Sequence, residues 1–544
     1  MCKGAVLNCT KHILSSTIGF ALYLSINAIS IWGGFFPLLP LEVQTTEVLI
    51  AFFVSQALSF GCVILLSASL AFRVPKLLQR TKPGLYPAII FLGSVFIILS
   101  MYFEDYTLAL IIAGGFFLGG GCAGLFTLWQ SIFAAMSTER SNLTLILGAM
   151  AAPFVYSVVN LAPEAIAAFL VPMFLAPLCG TCLTIATHEV DFNQPMFEDK
   201  PTEHSAVYHR AVKDHWRSAL CLGALGFVSG IVRGIAVLND DIIFLVNEAS
   251  LVGMLISAVI LLIACCLRWL KIDLTDIFRI VYPALIVGFL LVPFLGAQYL
   301  TAFVTLTYFA FSLIQMLMMM QVAQISRNRG IHPVFIFGLF AGIAYIMQSI
   351  GFIVGWYGTL LPDQPALSLF GISQISTFIL SMSLFIAIGS SFTDLLSRNS
   401  ISLDSIELFH FTNNSFLLKA IEDKTQSAVK LAERTKPKLP TASAEQSNKP
   451  CQIRHKKVSP SDDTDVMRDM ISKQCHILKA RYGLSIRELE IAELLVRGNT
   501  VPAIATKLFI SEHTVKTHSK HIYAKLGIHK KQELLELVED IQVH

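Results

Sequence analysis

The feature that most constrains this chain is where positive charge is missing. Between Arg140 and Lys200, and again between Arg279 and Arg327, there is no Lys or Arg. Soluble domains carry about a quarter of their residues charged, whereas here 14% are charged and 54% are hydrophobic. After Ser400 the pattern reverses, and charges recur every few positions. The first four hundred residues therefore read as lipid-solvated, and the remainder as a separate soluble part.

A helix needs about 20 apolar residues to cross the hydrocarbon layer. Twelve segments qualify, at roughly 16–39, 47–72, 85–103, 107–135, 142–160, 165–187, 218–238, 243–267, 276–297, 299–322, 333–356 and 368–392. With a cytoplasmic N-terminus, the internal loops hold Arg73, Lys76, Arg80, Lys82, Arg140, Lys200, Arg210, Lys213, Arg217, Arg268, Lys271, Arg279, Arg327 and Arg329. The external loops hold Glu104, Asp105, Glu164, Asp240, Asp241 and Asp363, with no base. This is the positive-inside pattern, which the segments were not chosen to satisfy. An even count returns the C-terminus to the cytoplasm, and the expected location is the cell inner membrane. Lys3 and Lys11 precede a long apolar segment without a small-residue cleavage site, as for a first membrane helix rather than a signal peptide.

Arg233 is the one base inside a span. It lies seven positions before Asp240, and Glu248 lies seven after Asp241. If the two aspartates form the external turn, Arg233 and Glu248 share a depth of about 10 Å on adjacent helices. Two readings stand: an ion pair clamping the two spans, or a polar contact for a small-molecule inducer, with Asn247 as helper. An intramembrane charge usually faces the bundle interior. The run AGGFFLGGGCAG lacks a following Gly-Lys-Ser/Thr, and its G-x-x-x-G spacings suit close helix packing. Cys179 and Cys182 form a C-x-x-C within an apolar run, where packing is the expected role. The MLMMM run at Met316–Met320 reads as lipid-facing or core surface.

The longest internal loop, His188 to Trp216, divides the spans six and six. That layout resembles the major facilitator superfamily, whose two six-helix halves enclose a midplane cavity. The loop SLAFRVPKLLQRTKPGLY is basic, as in that family, but lacks the Asp and internal Gly of the family's gating motif.

The cytoplasmic part divides in two. Residues 396–481 read as a mixed-charge helix (415–434) and a flexible basic tether (436–463), the latter rich in Pro, Ser, Thr and Lys. Those bases suit anionic lipid or DNA phosphate; a solvated linker needs neither. Residues 482–544 carry a different signal. Ser485 and Glu488 form a capping box, Gly498 stops the helix, and Thr500 with Pro502 starts a second. Ser511 caps a third, EHTVKTHSKHIYAKLG, closed by Gly527, and a fourth begins near Lys530. Helix, short turn and helix with a basic outer face is the layout that sets a recognition helix into the major groove. Lys516, Thr517 and Lys520 would meet base edges; His518 and Lys525 suit phosphate.

The string LSIRELEIAELLVRGNTVPAIATKLFISEHTVKTHSKHIYAKLGI resembles the LuxR-type helix-turn-helix, with matches that include Ser511, Thr514, Lys516, His518 and Lys525. The resemblance implies promoter DNA as partner and a homodimer joined through the fourth helix. Ala503 stands where the family usually has Glu, and Lys531 where Arg is common; each substitution is expected to remove a polar contact. The whole is an all-α chain: a twelve-helix membrane bundle and a four-helix DNA-binding domain. It is expected to be a one-component transcriptional regulator rather than an enzyme, with no cofactor or metal. The alternative is a membrane transporter with a regulatory DNA-binding tail.

Overall fold

The computed structural model describes residues 2–29, 45–75, 78, 82–163, 166, 169–236, 240–266, 271–272, 274–292, 294–295, 297–360, 369–396, 406–407 and 460–539. Among the described residues, a helix overlaps each of the twelve apolar segments. The first six are α1 (Cys2–Asn27), α2 (Thr46–Arg73), α3 (Leu85–Ser100), α4 (Thr107–Ala135), α5 (Thr138–Asn160) and α6 (Ala176–His188), the last entered through a π-helical turn, Val171–Leu175. The second six are α7 (Ser205–Ala236), α8 (Asp240–Cys266), α9 (Leu274–Leu291), α10 (Ala297–Arg329), α11 (Pro333–Leu360) and α12 (Leu369–Leu396). Among the described residues, α2, α4 to α8, α10 and α11 are long and apolar enough to cross a membrane unaided; α3 and the middle of α12 are apolar but shorter.

Helix pairing repeats after six helices. In the first half α1 packs on α5, α2 on α4 and α3 on α6; in the second α7 packs on α11, α8 on α10 and α9 on α12. The halves meet through α2 against α11 and α5 against α8, a pair of contacts that exchange under the same six-helix shift. A chain that repeats its internal pairing and its junction in this way is built from two equivalent halves.

Glycines set the closest approaches. A Cβ on Gly119 would collide with the backbone of Gln56, and one on Gly121 with Ile90, so the glycine run wedges α4 between α2 and α3, as its spacing predicts. A second ladder joins α7 to α11: Gly226, Gly230 and Gly234 lie against the carbonyls of Ala344, Gln348 and Phe352, while Gly351 and Gly355 return the approach against Phe227 and Ile231. Cys179 and Cys182 pack on Gly19 of α1. Met316–Met320 are buried in the bundle, which decides for the core alternative over the lipid-facing one. They sit where α10 meets α4, and Gln130 Nε2 donates to the Met319 carbonyl at 3.1 Å.

α7 begins at Ser205, well before the apolar segment, so the long internal loop is shorter than expected. Val207, Tyr208, Ala211 and His215 give this extension its buried face. Below the bundle stand α13 (Pro460–Tyr482), α14 (Ile486–Val496), α15 (Val501–Leu508), α16 (Glu512–Leu526) and α17 (Lys531–Glu539). These last helices have their own core, built on Leu478, Ile491, Ile504, Val515, Ile522 and Leu534. A two-residue antiparallel pair, β1 (Lys271–Ile272) with β2 (Ile406–Glu407), is the sheet present among the described residues. The expected helix 415–434 and most of the tether lie outside the described residues, as do Lys76, Arg80, Glu164, Arg268 and Asp363.

Candidate nucleic-acid interface and intramembrane polar site

The helices of the LuxR-like part start and stop at residues whose chemistry accounts for most of their ends. Ser485 Oγ accepts from the Glu488 N–H at 3.2 Å, and Glu488 Oε2 accepts from the Ser485 N–H at 2.7 Å, completing the capping box. Gly498 and Gly527 end α14 and α16 in the left-handed region, with φ of 82° and 69°, where a side chain would be strained. Ser511 caps α16 by accepting from the Thr514 N–H at 3.0 Å, and the two hydroxyls lie 2.7 Å apart. Thr500 precedes α15 without a side-chain cap bond. Phe509 closes α15 at φ 54° and is 94% exposed.

Val515, Ser519, Ile522 and Leu526 turn one face of α16 inward. The opposite face leaves Lys516, Thr517 and Lys520 exposed, and Thr517 Oγ1 is bonded back to the His513 carbonyl at 3.0 Å. His518 is half-buried beside His521. Lys525 is used inside the domain: its Nζ lies 2.7 Å from Glu488 Oε2 and 3.1 Å from the Gly483 carbonyl. Burial alone would raise the Glu488 pKa, but the Lys525 ammonium and the Ser485 N–H pull it down to about 2. Lys531, standing where Arg is common, donates to the Asn499 carbonyl at 3.4 Å.

In the membrane part, Arg233 is 6% exposed. Its Nη2 donates to Asn247 Oδ1 at 3.1 Å across the α7–α8 pair, so Asn247 takes the place expected for Glu248, whose side chain is exposed. Glu248, the acid expected to pair with Arg233, makes no ion pair with it among the described side chains. Arg233 Nε and Nη1 have no hydrogen-bond partner. The guanidinium borders a cavity walled by Phe53, Phe60, Tyr345 and Phe352, with Gln56 from α2 and Gln348 from α11. Gln56 was not singled out from the sequence; the available signal was an amide in the middle of an apolar span.

Residues 483–538 match the family model for bacterial regulatory proteins of the luxR family. Residues 483–538 form a LuxR-type helix-turn-helix domain. Its curated relatives include the oxygen regulatory protein NreC of Staphylococcus aureus strains JH9 and JH1, each 51% identical over 53 residues. That match covers 10% of this chain and 24% of the relative, so the chain spans about a quarter of the length of these relatives. Two solved structures align with the membrane part. A bacterial homologue of the iron transporter ferroportin, outward-facing with soaked iron, has a TM-score of 0.50 at 12% identity over 70% of this chain and 98% of that one. The human organic anion transporter MFSD10 (TETRAN) has a TM-score of 0.45 at 12% identity, over 69% and 98%. At such identity the likeness is one of fold. The likeness to the ferroportin homologue and the repeated helix pairing give the membrane part a major-facilitator-like fold, and its eight described helices long and apolar enough to span a bilayer mark the chain as a membrane protein.

The LuxR domain is joined to the membrane part through α13. The C-terminal half of this helix sends Ile477 and Leu478 into the LuxR core. Its N-terminal half packs Val466 and Met470 on the membrane-domain core. Asp469 Oδ2 accepts from the Ala206 N–H at 3.0 Å, satisfying a free donor in the first turn of α7. Lys473, 5% exposed, places all three of its N–H bonds: on Asp199 Oδ2 at 2.8 Å, the Gly330 carbonyl at 2.9 Å and the Arg329 carbonyl at 3.2 Å. Its ammonium also stands 5.3 Å from the Tyr208 ring centre. The second Asp199 oxygen lies 2.6 Å from His204 Nδ1. Burying either charge alone would cost several kcal/mol; here each is fully bonded. Burial would raise the Asp199 carboxyl, yet His204 and Lys473 hold it below the usual carboxylate range. Nearby His332 is pushed down to about 4 by burial, against the opposing pull of Asp199.

Proposed function

We propose that this chain is a one-component transcriptional regulator of the inner membrane. Its LuxR domain binds promoter DNA, and its major-facilitator-like domain, with twelve spans and both termini cytoplasmic, detects a small-molecule inducer. The observation that carries this reading is α13, whose two halves belong to two different cores. A DNA-binding head hung on a flexible tether would be indifferent to the state of the bundle. This head is anchored to the loop before α7 (Asp199, His204) and to the α10–α11 turn (Arg329, Gly330), where the two membrane halves approach each other.

A ligand that favours one packing of the halves over the other can therefore alter the seat of the head. The LuxR domain implies homodimerisation, and α17 is the expected contact. An enzyme is not part of this reading, because DNA recognition and ligand-dependent repacking require no bond chemistry.

The test is a footprint of the fragment 460–544, which contains the complete LuxR core, on DNA from beside its own gene across a salt series. The expected result is saturable protection that is lost in Lys516→Ala/Lys520→Ala. Equal binding by wild type and variant at every salt, with no sequence preference, would reject the recognition-helix assignment. A transporter carrying a tail would then lead.

A further inference from the structure

The α2–α7–α11 cavity has one chemical character. Its walls are aromatic: Phe53 and Phe60 from α2, Tyr345 and Phe352 from α11. Its polar groups include donors without acceptors. Arg233 Nε and Nη1 are unpaired, and so is Gln56 Nε2 on a side chain 1% exposed. A buried guanidinium normally has its N–H groups placed and a counter-charge close by. Arg233 has one placed bond to an amide oxygen and the Tyr308 hydroxyl alongside, and its Nε and Nη1 stay unpaired with no ion pair to a carboxylate whose side chain is described. The glycine ladder of α7 and α11 brings the backbone beside Arg233 to the α11 surface, so Gly230 and Arg233 line the same cavity. Unmet donors and a fixed positive charge inside apolar walls require an acceptor that is negatively charged and carries an apolar body.

From this we infer that the cavity binds a small organic carboxylate, its carboxyl group on Arg233 and Gln56 and its apolar part between the aromatic side chains. The inference rests on the membrane domain being the sensor, and it names the class of molecule sensed. It also supplies a route for the signal. The carboxylate bridges α2 of one half to α7 of the other, and so favours the packing in which those helices are close. That packing bears on the α7 extension where Asp469, Lys473 and Asp199 meet.

The experiment is a calorimetric titration of the purified full chain in lipid nanodiscs, without DNA, using benzoate as probe and benzamide as its uncharged counterpart. Benzoate is expected to bind saturably and benzamide not to. Arg233→Gln should weaken benzoate by roughly tenfold or more, the worth of a charge-assisted hydrogen bond, and Gln56→Leu by less. Arg233→Lys, which keeps the charge, should retain part of the affinity and guards against simple misfolding; each variant's thermal unfolding in nanodiscs is recorded alongside. Equal binding of benzoate and benzamide, undiminished binding by a folded Arg233→Gln chain, or no benzoate binding at millimolar concentration would each overturn the inference. Because the titration contains no DNA, its failure leaves the footprint of the LuxR domain as an independent test of the regulator reading.

Discussion

At the scale of single residues, the LuxR domain shows a division of labour along α16. Lys516, Thr517 and Lys520 face solvent, while Lys525 is committed to Glu488. The Glu488 carboxylate accepts from the Ser485 N–H and the Lys525 ammonium and reaches a pKa of about 2. A depressed acid contributes stability that is present above its ordinary pKa and lost as pH falls toward the lowered one. The fragment 460–544 should therefore lose thermal stability between about pH 4.5 and 2, followed by circular dichroism. Glu488→Gln should flatten that pH dependence and cost about 1–3 kcal/mol at neutral pH. Capping and recognition residues were legible in the sequence because their chemistry is local: a serine and a glutamate three apart bond each other wherever a helix starts. The partner of Lys525 was not legible, because it lies across a tertiary contact between α14 and α16.

Among the elements, α13 and the α7–α11 pair carry the most consequence. Lys473→Ala leaves Asp199 buried without its ammonium partner, and loss of one member of such a pair is costly. Hydrogen exchange should then speed up over residues 466–475 while the core of 483–538 stays protected. Unchanged protection over 466–475 would mean that the ion pair does not hold the junction. His332 adds a pH dependence of its own. A histidine pushed down to about 4 favours the folded state above its ordinary value of about 6.5 and loses that contribution as pH falls toward 4. Thermal unfolding of the full chain should drop between those values by an amount on the order of 3 kcal/mol, and His332→Phe should remove the slope. In the bundle, Gly230→Leu places a side chain where the Gln348 carbonyl stands. It should destabilise the full chain by about 3 kcal/mol, read as a lower unfolding temperature in detergent. The spacing of Gly226, Gly230 and Gly234 was present in the sequence to be read. The α13 junction was not: its first half is polar and looks like linker until Asp199 and the start of α7 are known to face it.

For the whole molecule, the absence of bases from long stretches located the helices before any coordinate did, because lipid excludes unpaired charge wherever it occurs. The two-half arrangement followed from one loop length, and the structure supplies its reason in helix pairings that recur six helices later. What the linear pattern could not contain is the seat of the DNA-binding head, which depends on three separated segments meeting at Lys473. That seat separates a regulator from a bundle with a passenger. The most direct measurement is the genomic occupancy of the full-length chain in living cells, by crosslinking and sequencing, beside Lys516→Ala/Lys520→Ala and Lys473→Ala. Discrete sites are expected, abolished in the recognition-helix variant and changed in occupancy by Lys473→Ala without a change of sequence. Occupancy that is diffuse and identical in all three chains would contradict the account.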